Sequence, residues 1–353
     1  MTGKVTIIFN DDGCDSYTLG GTEIALDNSV KGTVSDVEAA LVEEGYKVSA
    51  LPLAPGKDDS LGSFVAGLKA SAGSMVFNLC EGAFGKSSLE MHIAALLELY
   101  GVRFTGSGPL ALGLSLDKGL TKDILSGSGI TTPQYAVMNE IPASLRKNLK
   151  FPLIVKPLRE DASIGIDSGA VVKTLKELKK RVEFILDKYR QPAIVEEYVD
   201  GREFNIAVMG NGSSVRALPP SEIEFVDYPE GVPRICCYEA KWVEQSPFYN
   251  KTVPRCPADI PEGLRAELQS VAVRAYNAIG CRDYARVDVR VGQDGNIKVL
   301  EVNPNPDISA DAGFARAGKA SGFAYPRLIS EIVKTAAERC ALEDKRDKEA
   351  AQC

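Results

Sequence analysis

The sequence predicts an α/β chain, with a parallel sheet in its first hundred residues and α+β organisation in parts beyond, and three observations predict it. Short β-rich runs alternate with helical patterns up to about Tyr100, the rhythm of a parallel sheet with helices on its faces. After Thr105 strands and helices mix less regularly, with a charged helical stretch at Leu175–Tyr189 set between strands. Further on, the runs YARVDVRV and IKVLEVNPN flank the turn Gln293-Asp294-Gly295-Asn296 and read as a β-hairpin. At 353 residues the chain exceeds one ordinary core and fits two or three packed units. The expected divisions are 1–107, 108–196 and 197–340, followed by a charged tail over 341–353.

The elements follow in order. Strands are expected at Val5–Asn10, Lys47–Leu51 and Met75–Leu79, and helices at about Thr33–Glu44, Leu61–Ala70 and Leu89–Tyr100. The loops Asp11–Gly21 and Cys80–Ser88 follow strands at their carboxyl ends, where open α/β sheets bind ligands. The second unit opens near TGSGP, with a helix at about Leu116–Ser126, strands at Gln134–Met138, Leu153–Lys156 and Ala193–Val199, and the charged helix Leu175–Tyr189. The third has strands at Phe204–Met209 and Val215–Leu218, an irregular Pro- and Tyr-rich segment from Asp227 to Pro257, a helix at Glu262–Ile279 and the hairpin. A last helix spans about Tyr325–Glu338, and the tail ALEDKRDKEAAQC is expected to fray.

Composition excludes several classes of chemistry. Hydrophobic residues at 44% and charged residues at 25% are the balance of a soluble globular protein. No apolar run approaches the ~20 residues of a membrane span, and MTGKVTIIFN reads as a first strand rather than a leader, so a cytoplasmic protein is expected. The net charge of −7 argues against general nucleic-acid binding. Eight cysteines show neither CxxC pairs nor dense disulfide spacing. His92 is the only histidine, which removes Ser-His-Asp and Cys-His catalysis and any His-rich metal site. Chemistry falls to carboxylates, Lys, Arg and a bound ligand.

In the hairpin, period-2 alternation puts Arg286 and Asp288 on one face of the first strand and Glu301 and Asn303 on one face of the second. If those faces coincide, Asp288, Glu301 and Asn303 converge as three oxygen ligands suited to Mg²⁺; the same alternation also fits a solvated outer face with ordinary cross-strand pairs. The segment FPLIVKPLREDASIGI is a buried-looking strand ending in Lys156, then a loop with Arg159, Ser163 and Gly165. A strand-end lysine places a point charge on phosphate, and small loop residues turn backbone N–H groups toward its oxygens. The Walker A spacing is absent, and a lysine in such a place is also commonly just solvated.

From Ser74 to about Ser330 the motifs VFNLCEG, LLELYGVRFTGSG, LDKGLTK, VKPLRE, VEEYVDGREF, LPPSEIEF, YEAKW, CPADIP, ARVD and LEVNPNP stand in an order and spacing that resemble the D-alanine–D-alanine ligase branch of the ATP-grasp superfamily. The resemblance implies an ATP-grasp fold with a Rossmann-like N-terminal domain, and ATP and Mg²⁺ as cofactors. It implies that Lys118 and Lys156 hold ATP phosphates, with Ser163 and Gly165 in the phosphate loop. Glu196, Glu197 and Val199 would line the adenine hinge, Glu203 would take the ribose hydroxyls and Leu300 would floor the adenine. Lys241 would reach the γ-phosphate, Asp288, Glu301 and Asn303 would ligate Mg²⁺, and Arg286 would steady charge on the transferred phosphoryl. In this family a carboxylate is phosphorylated and an amine attacks the acyl phosphate, a reaction of positioning and charge neutralisation that needs no histidine. Partners are small amino-acid or peptide-like molecules, and the family usually forms homodimers.

The departures gather on the amino-acid side. The family's Glu-centred N-terminal motif has no clean match in TEIALDNSVKG, where Glu23 or Asp27 only approximates it. Ala162 takes the place of the phosphate-loop Ser, with Ser163 beside it, and Trp242 takes the place of the Tyr in the YEAKY segment. The family's His-Gly pair is Glu81-Gly82, the Gly after N-x-x-P is Asp307, and the Ser a few residues later is Ala312. Glu81, Glu90, Trp242 and Asp307 are therefore the expected substrate-side residues. The expectation is a carboxylate–amine ligase whose substrates are not two D-alanines; a D-alanine–D-alanine ligase using replaced residues, a kinase-like relative and an ATP-binding module are the alternatives.

Overall fold

The fold is that of a computed structural model, which describes residues 3–11, 16–19, 22–25, 29–54, 60–161, 163–237, 246 and 248–350, with backbone only at 16–19, 22–25, 29 and 250. Strand β1 (Lys4–Asn10) lies between β4 (Lys47–Leu53) and β5 (Met75–Asn78) in a parallel sheet. Its alternation is two-sided. Val5, Ile7 and Phe9 face helix α1 (Ser29–Glu43) and the C-terminal helix, while Ile8 faces α2 (Ser60–Ala70) and α3 (Glu90–Leu99). Both faces are covered, as a parallel sheet requires. Strands β2 (Ser16–Leu19) and β3 (Thr22–Ala25) pair as a hairpin within and just beyond the first expected loop.

Helices α4 (Pro109–Leu116) and α5 (Lys118–Gly127) replace the single helix expected there. Asp117 ends one and caps the next, its Oδ1 accepting from Gly119 N and Leu120 N at 3.1 Å each. Four antiparallel strands follow in the order β6 (Tyr135–Met138), β9 (Ala193–Glu197), β7 (Leu153–Pro157), β8 (Val171–Val172). One face packs Leu153, Val155, Ala193 and Val195 on Leu178, Val182 and Ile185 of α6 (Leu175–Tyr189). The other face carries Lys156 and Glu196.

The third sheet runs β13 (Thr252–Arg255), β12 (Ser221–Phe225), β10 (Gly201–Met209), β14 (Tyr284–Gly292), β15 (Ile297–Asn303), with β11 (Arg216–Ala217) pairing β10. Strands β12 and β13 were not legible, and β13 lies inside the segment expected to be irregular. Phe204, Ile206, Ala285, Val287 and Val289 pack on α7 (Glu262–Ile279), so the opposite face is left to Glu203, Asn205, Arg286, Asp288 and Arg290. Helix α8 (Gly313–Ala320), also unforeseen, precedes α9 (Tyr325–Ala350). No helix among the described residues is long and apolar enough to cross a membrane.

The tail over 341–350 is helical rather than frayed, a correction with a physical reason. Cys340 is buried. Arg339–Glu343 at 3.1 Å and Lys345–Glu349 at 3.9 Å are i,i+4 pairs, and Arg103 pairs with Asp344. Helix α9 is also tied to the third sheet. Asp283, fully buried at the entry to β14, accepts from Arg339 Nε and Nη2 at 2.9 Å each, from Gly106 N at 2.9 Å and from Asn211 Nδ2 at 2.8 Å. One carboxylate thus joins three segments to α9. Arg339→Met leaves that charge buried without its cation and is expected to cost about 3–5 kcal/mol. Glu343→Ala, at the half-exposed partner of the same arginine, is expected to cost under about 1 kcal/mol. Parallel thermal melts check the difference, and equal shifts would refute the hub.

Candidate functional site

The hairpin does converge, and its register is not the simple one. Arg286 pairs with Asn303 and Asp288 with Glu301, but Val289 then pairs with Val299, which leaves Leu300 as a bulge residue. The bulge keeps Ile297, Val299 and Val302 in the core while Lys298, Glu301 and Asn303 stay on the face shared with Arg286, Asp288 and Arg290. Arg286 grips Asp288 bidentately, Nε to Oδ1 and Nη2 to Oδ2 at 2.8 Å each. Asn205 Nδ2 donates to Asp288 Oδ1 at 2.8 Å, and Asn303 Nδ2 lies 3.3 Å from Asp288 Oδ2 and 3.5 Å from Glu301 Oε1. Burial works against the charge on Arg286, yet Asp288, then Glu301 and Asp307, raise its pKa above the ordinary value. The donors Asp288, Glu301 and Asn303 are two carboxylates and a carboxamide, the hard oxygens a Mg²⁺ ion takes.

Facing this sheet, Lys156 at the end of β7 donates to Glu196 Oε2 at 3.0 Å, and Lys122 Nζ stands 3.4 Å from Glu196 Oε1. Desolvation would push the fully buried Glu196 up, but Lys122 and Lys156 outweigh it and hold its pKa below the ordinary carboxylate value. Lys122 also donates to Thr132 Oγ1 at 2.9 Å and to the bulge carbonyl of Leu300 at 3.2 Å, so one ammonium links the two sheets. Lys118 bonds the Glu160 carbonyl and lies 3.7 Å from Asp161 Oδ1. Arg290 donates twice to Glu203 Oε2, at 3.0 and 2.7 Å, and once to Val199 O at 2.8 Å. Lys298 holds Glu197 at 2.8 Å.

The loop after β7, expected to meet phosphate, is shaped by backbone. Ser163 adopts φ +62° and its hydroxyl donates to Cys236 O at 2.9 Å. Gly165, at φ +76°, has Pro157 Cγ 2.6 Å from where a Cβ would stand, so only glycine fits there. Arg181 fixes the loop's far side through Asp167 at 2.9 Å and Gly165 O at 2.6 Å.

The third wall is acidic. The turn after β5 is held by Glu81 N donating to Asn10 Oδ1 and Cys80 N to Asn78 Oδ1, both at 3.1 Å. Asn305 donates to Glu90 Oε1 at 3.0 Å and to Cys80 O at 3.1 Å, while Tyr284 OH donates to Asn305 Oδ1 at 3.1 Å. Asp307 is exposed, with Oδ1 taken by Ser309 N and Oγ at 2.9 and 2.8 Å. Glu81 keeps contact with solvent, yet loss of bulk water, then Asp307 and Asp161, lift its carboxyl to about 7. Desolvation lifts Glu90 to about 8, helped by Asp161 and Glu81 and opposed by Asn305.

Glu81, Glu90 and Asp307 thus share one field with Arg286, and Lys118, Lys156, Glu196 and Glu203 line the two sheets. Lys241 and Trp242 lie outside the described residues, as do Ala162, Asp27 and the side chain of Glu23. Sequence reasoning missed Lys122, Asn205, Arg290 and Lys298. Signals existed: Lys122 stands one helical turn after Lys118, Asn205 and Arg290 stand two residues after Glu203 and Asp288, and the core spacing Ile297, Val299, Val302 breaks period 2 at the bulge.

Known proteins share this architecture. The family described as D-ala D-ala ligase C-terminus matches residues 127–334. A D-alanine–D-alanine ligase of Bordetella petrii is 34% identical over 276 residues, covering 77% of this chain and 79% of the relative. An uncharacterized protein of Sinorhizobium fredii is 38% identical over 272 residues, 76% of each chain. The crystal structure of the Bacillus anthracis D-alanine–D-alanine ligase complexed with ATP is similar with a TM-score of 0.73 at 21% identity, covering 97% of this chain and all of that one. The Coxiella burnetii ligase structure gives 0.71 at 20% identity, covering 98% and 97%. With the two facing antiparallel sheets, the buried lysines and the profile match over more than half its length, the chain belongs to the ATP-grasp family of D-alanine–D-alanine ligases.

Proposed function

We propose that the chain is an ATP- and Mg²⁺-dependent carboxylate–amine ligase whose amino-acid or peptide-like substrates are not two D-alanines. The carrying observation is the acidic wall formed by Glu81, Glu90 and Asp307 beside Arg286, where the resemblance expects His and Gly in place of Glu81 and Asp307. Like charges crowded in a cleft favour a cationic or amide-capped acceptor over a bare carboxylate.

On this reading the site lies where three units, 1–107, 108–196 and 197–340, meet. Lys118, Lys156 and the loop through Ser163 and Gly165 take the nucleotide phosphates, with Lys241 added from the segment beyond Cys237. Glu196, Glu197, Val199 and Leu300 take the adenine, and Glu203, pinned by Arg290, takes the ribose. Asp288, Glu301 and Asn303 would hold Mg²⁺, a fit supported by the chemistry of two carboxylates and a carboxamide on one sheet face. Mg²⁺ bound there neutralises phosphate charge and fixes the phosphoryl for transfer. Arg286 sits between metal ligands and acidic wall, able to stabilise the phosphoryl and the acyl oxygen. A substrate carboxylate oxygen takes the terminal phosphoryl as its bond to ADP breaks; the second substrate's amine then bonds the acyl carbon, phosphate leaves, and the amine loses a proton.

An ADP-release screen of amino acids and dipeptides, singly and in pairs, with mass spectrometry of products, tests the proposal. The highest turnover is expected with an acceptor bearing a cation or a capped carboxyl. Efficient D-alanyl-D-alanine formation, at kcat/KM of order 10⁴ M⁻¹s⁻¹ or more, would overturn it.

Lys156→Met is expected to weaken ATP binding by about 1.5–3 kcal/mol, the scale of a charge-assisted hydrogen bond, and to leave adenosine affinity nearly unchanged. Calorimetry with both ligands decides between a phosphate role and a fold role. Glu301→Gln should lower turnover by about a hundredfold or more while the melting temperature of the unliganded chain stays close to the parent's. Near-normal rates at saturating Mg²⁺ would dismiss the metal assignment.

The acidic wall also predicts a pH dependence. Glu81 and Glu90 rise from 4.5 to about 7 and about 8, so the fold holds their protons longer than the unfolded chain does. Their contribution to folded stability is fully present below 4.5 and is lost as pH climbs through about 7 to 8. A cationic acceptor pulls the other way, because it favours the ionised carboxyls. Its KM is expected to fall as pH rises through about 7 to 8, where a neutral acceptor's changes less. Glu81→Gln should flatten that difference, and an unchanged profile in the variant would remove Glu81 from acceptor binding.

A further inference from the structure

At the amino ends of β1 and β5, the end of the parallel sheet opposite the Glu81 turn, lies a cavity of about 700 Å³. Its floor is apolar: Val5, Leu68 and Val333, all buried. Its rim is cationic, with Lys4, Lys69, Arg103 and Lys334 lining it and no carboxylate side chain among the lining residues. That concentration stands out in a chain of net charge −7. Arg103 is paired with Asp344, but Lys4, Lys69 and Lys334 make no ion pair among the described residues. Lys69 instead sits over the ring of Tyr100, 5.2 Å from its centroid, at the cavity edge.

We propose that this cavity is a second ligand site, separate from the nucleotide cleft, and that it takes a small anion carrying an apolar or aromatic body. The lysines supply charge-assisted donors to the anion, and the floor with Tyr100 supplies apolar contact to the body. Helices α2 and α3 end at the cavity, and several of their last carbonyls are already taken by backbone N–H donors, so the lysines carry the positive charge against the helix ends. Gly67 O and Lys69 O accept from Ser71 N and Ala72 N at 3.0 and 3.2 Å, and Leu96 O and Leu97 O from Tyr100 N and Val102 N at 3.1 and 2.9 Å. Because the site lies at the far end of β1 and β5 from the Glu81 turn, a ligand there does not compete with nucleotide.

The test uses the full chain saturated with a non-hydrolysable ATP analogue and Mg²⁺, so that the cleft is filled. Phenyl phosphate is titrated by calorimetry or ligand-observed NMR, beside inorganic phosphate as anion alone and benzyl alcohol as body alone. Saturable binding of phenyl phosphate is expected, tighter than either fragment. The double variant Lys69→Glu, Lys334→Glu should weaken it about tenfold or more, and Ala72→Trp, which puts an indole at the cavity wall, should weaken it similarly. Neither variant should change ATP turnover. Displacement by the analogue, equal affinity in the variants, or equal binding of all three probes would overturn the proposal.

Discussion

Strand β14 is the constraint on which the rest depends, because its two faces serve opposite ends and cannot both be satisfied in another register. One face, Ala285, Val287, Val289 and Val291, is sealed against α7. The other presents Arg286, Asp288 and Arg290 in sequence. A one-residue slip would put three charges into the core and four apolar side chains into the cleft. The bulge at Leu300 answers the same demand on β15. It lets the strand change its inward parity once, so that Lys298 and Glu301 share a face and the Leu300 carbonyl becomes an acceptor for Lys122. At its entry the strand is fixed by Asp283, through which α9 and the segment around Gly106 are held to the third sheet.

Within the cleft, the same kind of side chain behaves in opposite ways, and neighbours decide which. Glu196 is fully surrounded, yet its pKa falls, because two ammonium groups more than offset the loss of water. Glu81 and Glu90 rise, because their carboxyl neighbours add to desolvation and the opposing groups, Arg286 for one and Asn305 for the other, are too weak. The cleft therefore carries the lysines Lys118, Lys122 and Lys156 in one group and the carboxyls of Glu81, Glu90 and Asp307 in another, with Arg286 coupled to Asp288 and Asp307. On the proposed function, the first group meets phosphates and the second meets an amine.

Legibility in the sequence followed range of interaction. The parallel sheet, helix α6 and the hairpin were legible because each rests on local periodicity: Val5, Ile7 and Phe9 alternate with Thr6 and Ile8, and VDVRV alternates cleanly. Strands β12 and β13 were not: SEIEF alternates Glu222 and Glu224 with Ile223 and Phe225 but is only five residues long, and Thr252–Arg255 contains Pro254 and takes its strand character from pairing with β12. The helical tail was missed although Arg339–Glu343 and Lys345–Glu349 are local pairs, because the burial of Cys340 and the Arg103–Asp344 pair rest on the folded neighbours of the helix. In the site, the sequence reading named residues in short motifs and passed over the residues that brace them. Lys122, Asn205 and Arg290 act by bracing Glu196, Asp288 and Glu203, and bracing is a property of the fold.

The two groups of cleft residues also differ in how much the scaffold depends on them. The groups on the two sheets are locked in ion pairs: changing Glu196 would strand Lys122 and Lys156, and changing Asp288 would strand Arg286. Glu81 and Asp307 sit on turns after β5 and β15, whose geometry is set by backbone and by asparagines, while Glu90 opens α3. The Glu81 turn is held through Asn10 and Asn78 and needs Gly82, where a Cβ would stand 2.8 Å from Lys86 O; none of these contacts uses the Glu81 carboxyl. Asp307 even supplies its own local compensation, accepting from Ser309 N and Oγ within its turn. A glutamate or an aspartate at these two turns therefore changes the local charge and leaves the ion pairs of the two sheets undisturbed.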